Sequence, residues 1–156
     1  MTPRRETRPI IVEQTYDVPT EVVWQAITDG GEMSQWFFST IETFEATVGF
    51  ETRFTVEADG VDYVHLWRVE GVVPLRALRY RWRYEGLPGD SEVLWELSST
   101  AEGAHLKLTH TIFESFPADD PAFTRAAGVD GWTFFLRERL CGFLSTSRLG
   151  DPKPGA

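Results

Sequence analysis

The chain has 156 residues, of which 42% are hydrophobic and 13% aromatic, and its formal net charge is −9 at pH 7. This acidic balance disfavours binding to nucleic acid or to an anionic membrane surface, because both attract clustered Lys and Arg. Cys141 is the only cysteine, so the chain forms no internal disulfide bond, and its length allows a core that needs neither a disulfide nor a metal.

Both ends of the chain are rich in Pro, Gly and charge, and residues 1–9 and 148–156 are predicted to be flexible tails. Residues 10–147 are predicted to form a single domain, because no repeat or long linker interrupts them. The first residues lack the apolar run of a signal peptide, and no stretch approaches the roughly 20 apolar residues of a membrane span. These features predict a cytoplasmic protein without membrane insertion.

The first predicted elements are a strand at Ile10–Tyr16 and two short helices. The first helix begins near Pro19, which suits a first helical turn, and Gly30 with Gly31 is predicted to end it. The second helix is predicted at about Glu32–Trp36. The apolar residues of the first helix recur at helical spacing: Val22, Val23, Ala26 and Ile27.

From Thr40 to Glu114 apolar and polar residues alternate, which predicts about six further antiparallel strands and a sheet of about seven in all. Tyr63–Val73 is apolar on both faces, which predicts either a central strand or a strand whose outer face is partly covered. Turn residues separate the strands at 58–60, 86–90 and 101–103. The alternating apolar residues are Phe50, Phe54, Val56, Leu78, Tyr80, Trp82, Tyr84, Val93, Trp95, Leu97, Leu106, Leu108, His110 and Ile112.

The outward face of one of these strands is cationic, since Arg79, Arg81 and Arg83 alternate with its apolar residues. We expect them to pair with carboxylates on neighbouring strands and to form a solvated surface. The predicted partners are Glu70, Glu92 and Glu96. A docking surface for an acidic protein partner is the alternative.

The last predicted element is a long amphipathic helix that ends near Ser147. Its apolar residues are Trp132, Phe135, Leu136, Leu140, Phe143 and Leu144. A sheet with one apolar face must be covered, and this helix is the only large element left to cover it. The element order therefore predicts an α+β, helix-grip fold in which a curved antiparallel sheet wraps around the C-terminal helix.

A twisted sheet of this width is broader than one helix, which is about 10 Å across, so we expect an apolar cavity between them. The many Trp and Tyr side chains each carry a polar atom that needs a partner, which is typical of a ligand site. Packing in an ordinary core is the alternative for each. The predicted ligand-binding residues are Trp36, Phe54, Trp67, Tyr80, Trp82, Trp95, Leu108, His110, Trp132 and Phe135.

Four stretches of the chain resemble the SRPBCC (START-like, Bet v-like) superfamily and, within it, homologues of the C-terminal domain of the heat-shock-protein-90 ATPase activator. They are VPTEVVWQAIT at 18–28 with MSQWF at 33–37, VP followed by LRYRW between 73 and 82, LKLTH at 106–110, and GW at 131–132. The resemblance covers about residues 10–146. It implies the helix-grip fold and a cavity for a hydrophobic ligand.

Three functions are compatible with these patterns. The first is binding of a small hydrophobic or amphipathic molecule, and the second, implied by the resemblance alone, is a co-chaperone that stimulates a heat-shock-protein ATPase. The third is a cavity enzyme of the cyclase, dehydratase or hydrolase type. The expected state is a monomer or homodimer. The expected partner is a small apolar molecule, a protein is a further candidate partner, and nucleic acid is not expected.

His110 is the candidate catalytic residue, because its strand alternation directs it inward, where it could act as a general acid–base. A core histidine bonded to a backbone carbonyl or to Tyr80 is the alternative. His65 could line the same cavity, whereas His105 lies beside a turn and is predicted to be exposed. The scattered His and Cys residues form no metal-ligand pattern, and no Gly-rich phosphate loop is present, so no metal or cofactor is predicted.

Overall fold

The structure, a computed structural model, describes residues 8–150 and the side chains of residues 8–146. Most of the two predicted tails lies outside the described residues, and the division of the chain into tails and one domain remains a prediction. Within residues 8–150, no helix combines the length and the apolar character needed to cross a bilayer.

Six strands form one antiparallel sheet in the order β1-β6-β5-β4-β3-β2. The two edge strands of the sheet are therefore the strand that precedes the two short helices and the strand that follows them. The strands are β1 (Ile10–Tyr16), β2 (Glu51–Ala58), β3 (Val61–Val73), β4 (Ala77–Tyr84), β5 (Asp90–Ser99) and β6 (Ala104–Glu114).

The predicted count of about seven strands is wrong, because residues 37–50 contain no strand. Ile41 and Phe44 in this segment are buried without the period of two that a strand requires, so they pack into the core from an irregular loop. A turn then closes at residues 47–50, where the Phe50 N–H bonds to the Thr47 carbonyl, and Phe50 precedes β2 by one residue.

Two short helices follow β1, as predicted: α1 (Thr20–Thr28) and α2 (Gly30–Trp36). The prediction that Gly30 and Gly31 end α1 is wrong, since both belong to α2. Asp29 separates the helices, and its Oδ2 accepts a hydrogen bond of 2.9 Å from the Glu32 N–H at the start of α2. Glycine at position 30 has a steric reason, because a Cβ there would lie 2.8 Å from the Phe44 backbone nitrogen.

One continuous C-terminal helix spans α3 (Arg125–Phe134), a π-helical segment (Phe135–Leu140) and α4 (Cys141–Gly150), and it extends three residues beyond the predicted end. The wider π-helical turn leaves backbone carbonyls available to other donors. The buried Tyr16 hydroxyl on β1 donates a 2.6 Å hydrogen bond to the Leu136 carbonyl. This bond fixes the middle of the helix against one edge of the sheet.

The concave face of the sheet and this helix enclose the core, which confirms the predicted α+β helix-grip fold. Helix α2 inserts Trp36 between sheet and helix, where it is fully buried and donates a 2.8 Å hydrogen bond to the Ala26 carbonyl. Arg139 of the π-helical segment donates to the carbonyls of Gln35 and Trp36, which attaches the helix to the end of α2. One end of the concave face is therefore closed by α2.

Candidate functional site

A cavity of about 490 Å³ lies at the other end of the concave face, between the sheet, the first half of the C-terminal helix and the loop that joins them. Its sheet wall consists of Val56, Ala58, Tyr63, His65, Trp82, Tyr84, His110 and Ile112. Its remaining wall includes Arg8, Ile10, Phe38, Ser115, Phe116, Ala118, Ala122, Phe123, Thr124, Arg125, Ala127, Gly128, Gly131, Trp132 and Phe135. The lining is mainly aromatic and aliphatic, which is the usual character of a small-molecule site.

The helical wall of the cavity contains Gly128 and Gly131 on the same helix as Trp132 and Phe135. A Cβ placed on Gly131 would meet no heavy atom within 4 Å. The absence of a side chain at this position therefore leaves open space where a larger residue would occupy part of the cavity.

The loop between β6 and α3 covers the cavity and is held to the sheet by aromatic contacts. Phe116 and Phe123 stack on each other with ring centroids 5.3 Å apart, and both contact Tyr84, at 5.2 and 5.0 Å. The Tyr63 hydroxyl of β3 donates a 2.9 Å hydrogen bond to Asp120 Oδ2 in the same loop. These contacts make the loop the cover of the site.

His110 lies in a chain of hydrogen bonds that uses both of its ring nitrogens. The Trp132 indole N–H donates to His110 Nδ1 at 3.1 Å, so the proton of the neutral ring is on Nε2. Nε2 lies 2.9 Å from Ser91 Oγ, which in turn donates to the Trp82 carbonyl at 2.7 Å. Burial lowers the pKa of His110 to about 4, so the ring is neutral near pH 7.

These hydrogen bonds argue against the predicted acid–base role of His110. The residue lines the cavity, as the strand alternation predicts, but neither nitrogen is free to exchange a proton with a cavity occupant. The geometry is that of a satisfied core histidine that positions Trp132. The expected bond to Tyr80 is absent from the described residues, and the Tyr80 hydroxyl instead accepts from the Trp95 indole at 3.1 Å.

His65 differs from His110 because one of its nitrogens has no partner among the described residues. Its Nδ1 lies 3.0 Å from the Tyr63 carbonyl, which can only accept, so Nδ1 carries the proton. Burial lowers the pKa of His65 to about 4, which leaves Nε2 an unprotonated acceptor near pH 7. The side chain is 4% exposed and lines the cavity.

Tyr84 lies directly opposite His65 in the antiparallel pairing of β3 with β4. The Trp82 indole N–H donates a 2.8 Å hydrogen bond to the Tyr84 oxygen, so the hydroxyl proton of Tyr84 remains available. Burial raises the pKa of Tyr84 to about 12, which keeps the phenol protonated. The cavity wall thus carries one free acceptor and one free donor on neighbouring strands.

Of the ten predicted ligand-binding residues, the structure brings four together at the cavity: Trp82, His110, Trp132 and Phe135. The other six are buried in the core away from it: Trp36, Phe54, Trp67, Tyr80, Trp95 and Leu108. Trp36 is part of α2, and the five on strands point inward as the alternation requires, but α2 and the loop after it fill the space above most of them. Phe37, for example, lies 5.6 Å from Trp67 and 6.1 Å from Trp95 between ring centroids.

Several lining residues were not among the predicted ones. Tyr84 continues the alternation of Leu78, Tyr80 and Trp82, so the strand pattern could have identified it. Phe116 and Phe123 follow the last strand in a Pro-rich loop, where no periodic pattern indicates the direction of a side chain. Phe38 immediately follows α2, and its position depends on how that helix ends.

The outward cationic face forms ion pairs, but among the described residues only one of the three predicted partners, Glu92, pairs with this arginine row. Arg79 pairs with Glu92 at 3.0 Å, and Arg81 pairs with Asp90 at 2.6 Å rather than with a predicted partner. Arg81 also lies 5.0 Å from the ring centroid of the exposed Phe113. Within residues 8–150, no group of three or more His, Cys, Asp and Glu side chains is arranged to hold a metal ion.

Comparisons with known proteins agree with this architecture. The family model described as "Activator of Hsp90 ATPase homolog 1-like protein" matches residues 17–144. A protein from Mesorhizobium loti is 28% identical, with a TM-score of 0.69, and the match covers 90% of this chain and 98% of that chain. No curated protein matches the sequence.

Two other solved structures are also similar. DynU16, from the dynemicin biosynthetic locus, is 27% identical with a TM-score of 0.72, and the match covers 90% of this chain and 48% of DynU16. CalU16 from Micromonospora echinospora is 26% identical with a TM-score of 0.56, and the match covers 91% of this chain and 79% of CalU16.

Proposed function

The chain belongs to the family of Activator of Hsp90 ATPase homolog 1-like proteins, and from this premise we propose that it binds a small hydrophobic or amphipathic molecule in the cavity between its sheet and its C-terminal helix. The observation that carries the proposal is the aromatic-lined cavity of about 490 Å³. This volume is within the range of roughly 300–1,000 Å³ that is common for small-molecule sites.

The similarity to DynU16 supports the same function. That protein comes from a biosynthetic locus, and it shares the fold over nearly the whole of this chain. A helix-grip domain encoded in such a locus is consistent with a role in holding a small molecule.

The test uses Nile red, a neutral dye whose fluorescence rises in apolar surroundings, and two variants with a leucine added to the C-terminal helix. Gly131→Leu adds a side chain at a residue that lines the cavity, where an added Cβ meets no heavy atom within 4 Å. Gly142→Leu is the matched control, since residue 142 lies on the same helix, is exposed and has no neighbour within 4 Å of an added Cβ.

We expect Nile red fluorescence to rise with the natural protein and with Gly142→Leu and to stay low with Gly131→Leu. Native mass spectrometry of protein purified from its host should reveal a bound small molecule that Gly131→Leu lacks. Absence of any dye binding, or equal binding by all three proteins, would contradict the proposal.

A co-chaperone that stimulates a heat-shock-protein ATPase is the second candidate, and the description of the family favours it. Its test is an ATPase assay with purified Hsp90 and the full chain, in which stimulation supports the role and an unchanged rate removes it. An enzyme that uses His110 as acid–base is not favoured, because both ring nitrogens are engaged. A cytoplasmic monomer or homodimer completes the proposal, and size-exclusion chromatography would determine which of the two forms.

A further inference from the structure

Two polar groups in the cavity wall have hydrogen-bonding capacity that the protein does not use. Among the described residues, three polar side-chain atoms are fully buried and have no hydrogen-bond partner: Trp67 Nε1, Arg81 Nε and Asp90 Oδ1. His65 Nε2 also has no hydrogen-bond partner among the described residues, but it is not one of these three buried atoms, so it borders open space. Because the side chain is only 4% exposed and lines the cavity, that open space is the cavity. The Tyr84 hydroxyl accepts from Trp82 and retains its own proton.

These two groups are neighbours of complementary type. His65 and Tyr84 are paired directly across β3 and β4, and their ring centroids are 4.7 Å apart with the planes inclined at 71°. An acceptor next to a donor matches a hydroxyl group, whose oxygen accepts one hydrogen bond while its proton is donated in another. A ketone or an ether would leave the His65 acceptor unpaired, which is costly in a buried site.

The other polar side chains of the wall are engaged within the protein or lie at its rim. The Tyr63 hydroxyl donates to Asp120, and the Thr124 hydroxyl donates to the Pro121 carbonyl while accepting from Ala127. Arg125 donates to the carbonyls of residues 8 and 9 where the chain enters β1. Ser115 is exposed.

The rest of the wall near this pair is formed by aromatic rings. Trp82 and Trp132 lie 5.4 Å apart between ring centroids, and Phe123 lies 5.0 Å from Tyr84 in the covering loop. Aromatic rings favour offset and edge-to-face contacts with a further ring. His65 and His110 in the wall are neutral near pH 7. The two arginines of the lining, Arg8 and Arg125, lie where the chain enters β1, and Arg125 is bonded there to backbone carbonyls. The aromatic surroundings of His65 and Tyr84 therefore suit an uncharged ring.

From this arrangement we infer that the cavity selects an uncharged aromatic molecule with a ring hydroxyl, held by His65 Nε2 as acceptor and by the Tyr84 hydroxyl as donor. The inference rests on the proposed function and adds the class of ligand to it. His65 and Tyr84 are then the residues that determine specificity, while the surrounding rings supply most of the affinity.

The experiment compares three probes of one shape by isothermal titration calorimetry: β-naphthol, its methyl ether and naphthalene. The ether retains the oxygen but cannot donate to His65, and naphthalene has no polar group. We expect the natural protein to bind β-naphthol about tenfold more tightly than either of the other two, the size of one to two buried neutral hydrogen bonds.

The variants His65→Phe and Tyr84→Phe each keep an aromatic ring and remove one of the two polar groups. In each we expect the preference for β-naphthol to fall to about threefold or less, while the affinity for naphthalene changes little. Gly131→Leu should weaken all three probes, and Gly142→Leu should weaken none. The comparison of the three probes on the natural protein tests the hydroxyl preference even if a variant fails to fold.

The outcomes separate this inference from the function on which it rests. Equal binding of the three probes, with Gly131→Leu still blocking all of them, would overturn the hydroxyl selection and leave the cavity as a binding site. Absence of binding by every probe would overturn both. A preference for β-naphthol that persists in both Phe variants would overturn the assignment to His65 and Tyr84.

Discussion

The two ends of the concave face carry the same kinds of side chain but differ in how they are covered. At the closed end, α2 places Trp36 against Trp95 and Phe37, with ring centroids 6.2 and 4.8 Å apart, and the space is filled. At the open end, Gly131 of the helix and Trp82 and Tyr84 of the sheet line a cavity of about 490 Å³. The element that covers the sheet, rather than the apolar strand pattern, determines which part of the concave face is filled and which part leaves room for a ligand.

The comparison predicts that the two ends respond differently to loss of a large side chain. Trp36→Ala should lower the free energy of unfolding by about 3–5 kcal/mol, because it opens a void in a filled core and removes the bond to the Ala26 carbonyl. Trp132→Ala also removes a hydrogen bond, to His110 Nδ1, but should cost less because its ring already borders a cavity on one side. Urea denaturation of both variants measures the difference, and an equal or larger loss for Trp132→Ala would contradict the distinction.

The open end also predicts an acid-sensitive stability. Burial lowers the pKa of His65 and His110 to about 4 in the folded protein, whereas an unfolded histidine titrates near 6.5. Between these values the unfolded chain binds more protons than the folded one, so acidification from pH 6.5 towards pH 4 lowers the free energy of unfolding. From about pH 7 to about pH 5 the loss should be about 2 kcal/mol for each histidine.

The variant His65→Phe isolates one of these two contributions. Its free energy of unfolding should fall by about 2 kcal/mol less than that of the natural protein over the same pH interval, measured by urea denaturation at both ends. Identical pH dependence in the two proteins would show that His65 is not held neutral by burial.

A smaller effect is expected from the hydrogen-bond chain behind the cavity. Ser91→Ala removes the acceptor of the His110 Nε2 proton and the donor to the Trp82 carbonyl, which should cost about 1–3 kcal/mol of unfolding free energy. Ser98→Ala on the same strand is the control, because Ser98 is exposed and should change stability by less than about 0.5 kcal/mol. Equal stability of the two variants would show that the hydrogen bonds of Ser91 do not stabilise the fold.

The sequence predicts the fold well because period-two alternation and helical spacing are local signals. It predicts the inward direction of Tyr80, Trp82 and His110, which follows from alternation alone. It does not reveal which inward residues border empty space, since that depends on α2 and the covering loop, which meet the sheet from distant parts of the chain. The alternation assigned from Thr40 onward predicts a seventh strand, whereas Ile41 and Phe44 are buried from an irregular loop.

The smallest predicted effect concerns the two glycines that face the open end. Gly131→Ala should raise the free energy of unfolding by up to about 1 kcal/mol, because alanine favours the helix and its Cβ would meet no heavy atom within 4 Å. Gly128→Ala should gain less, since its Cβ would lie 2.7 Å from Ile10 Cδ1 and that side chain must shift. Thermal unfolding of the pair measures the difference. A gain at position 128 equal to that at position 131 would mean that the helix stands clear of the sheet along its whole first half, and the cavity would then lack its helical wall.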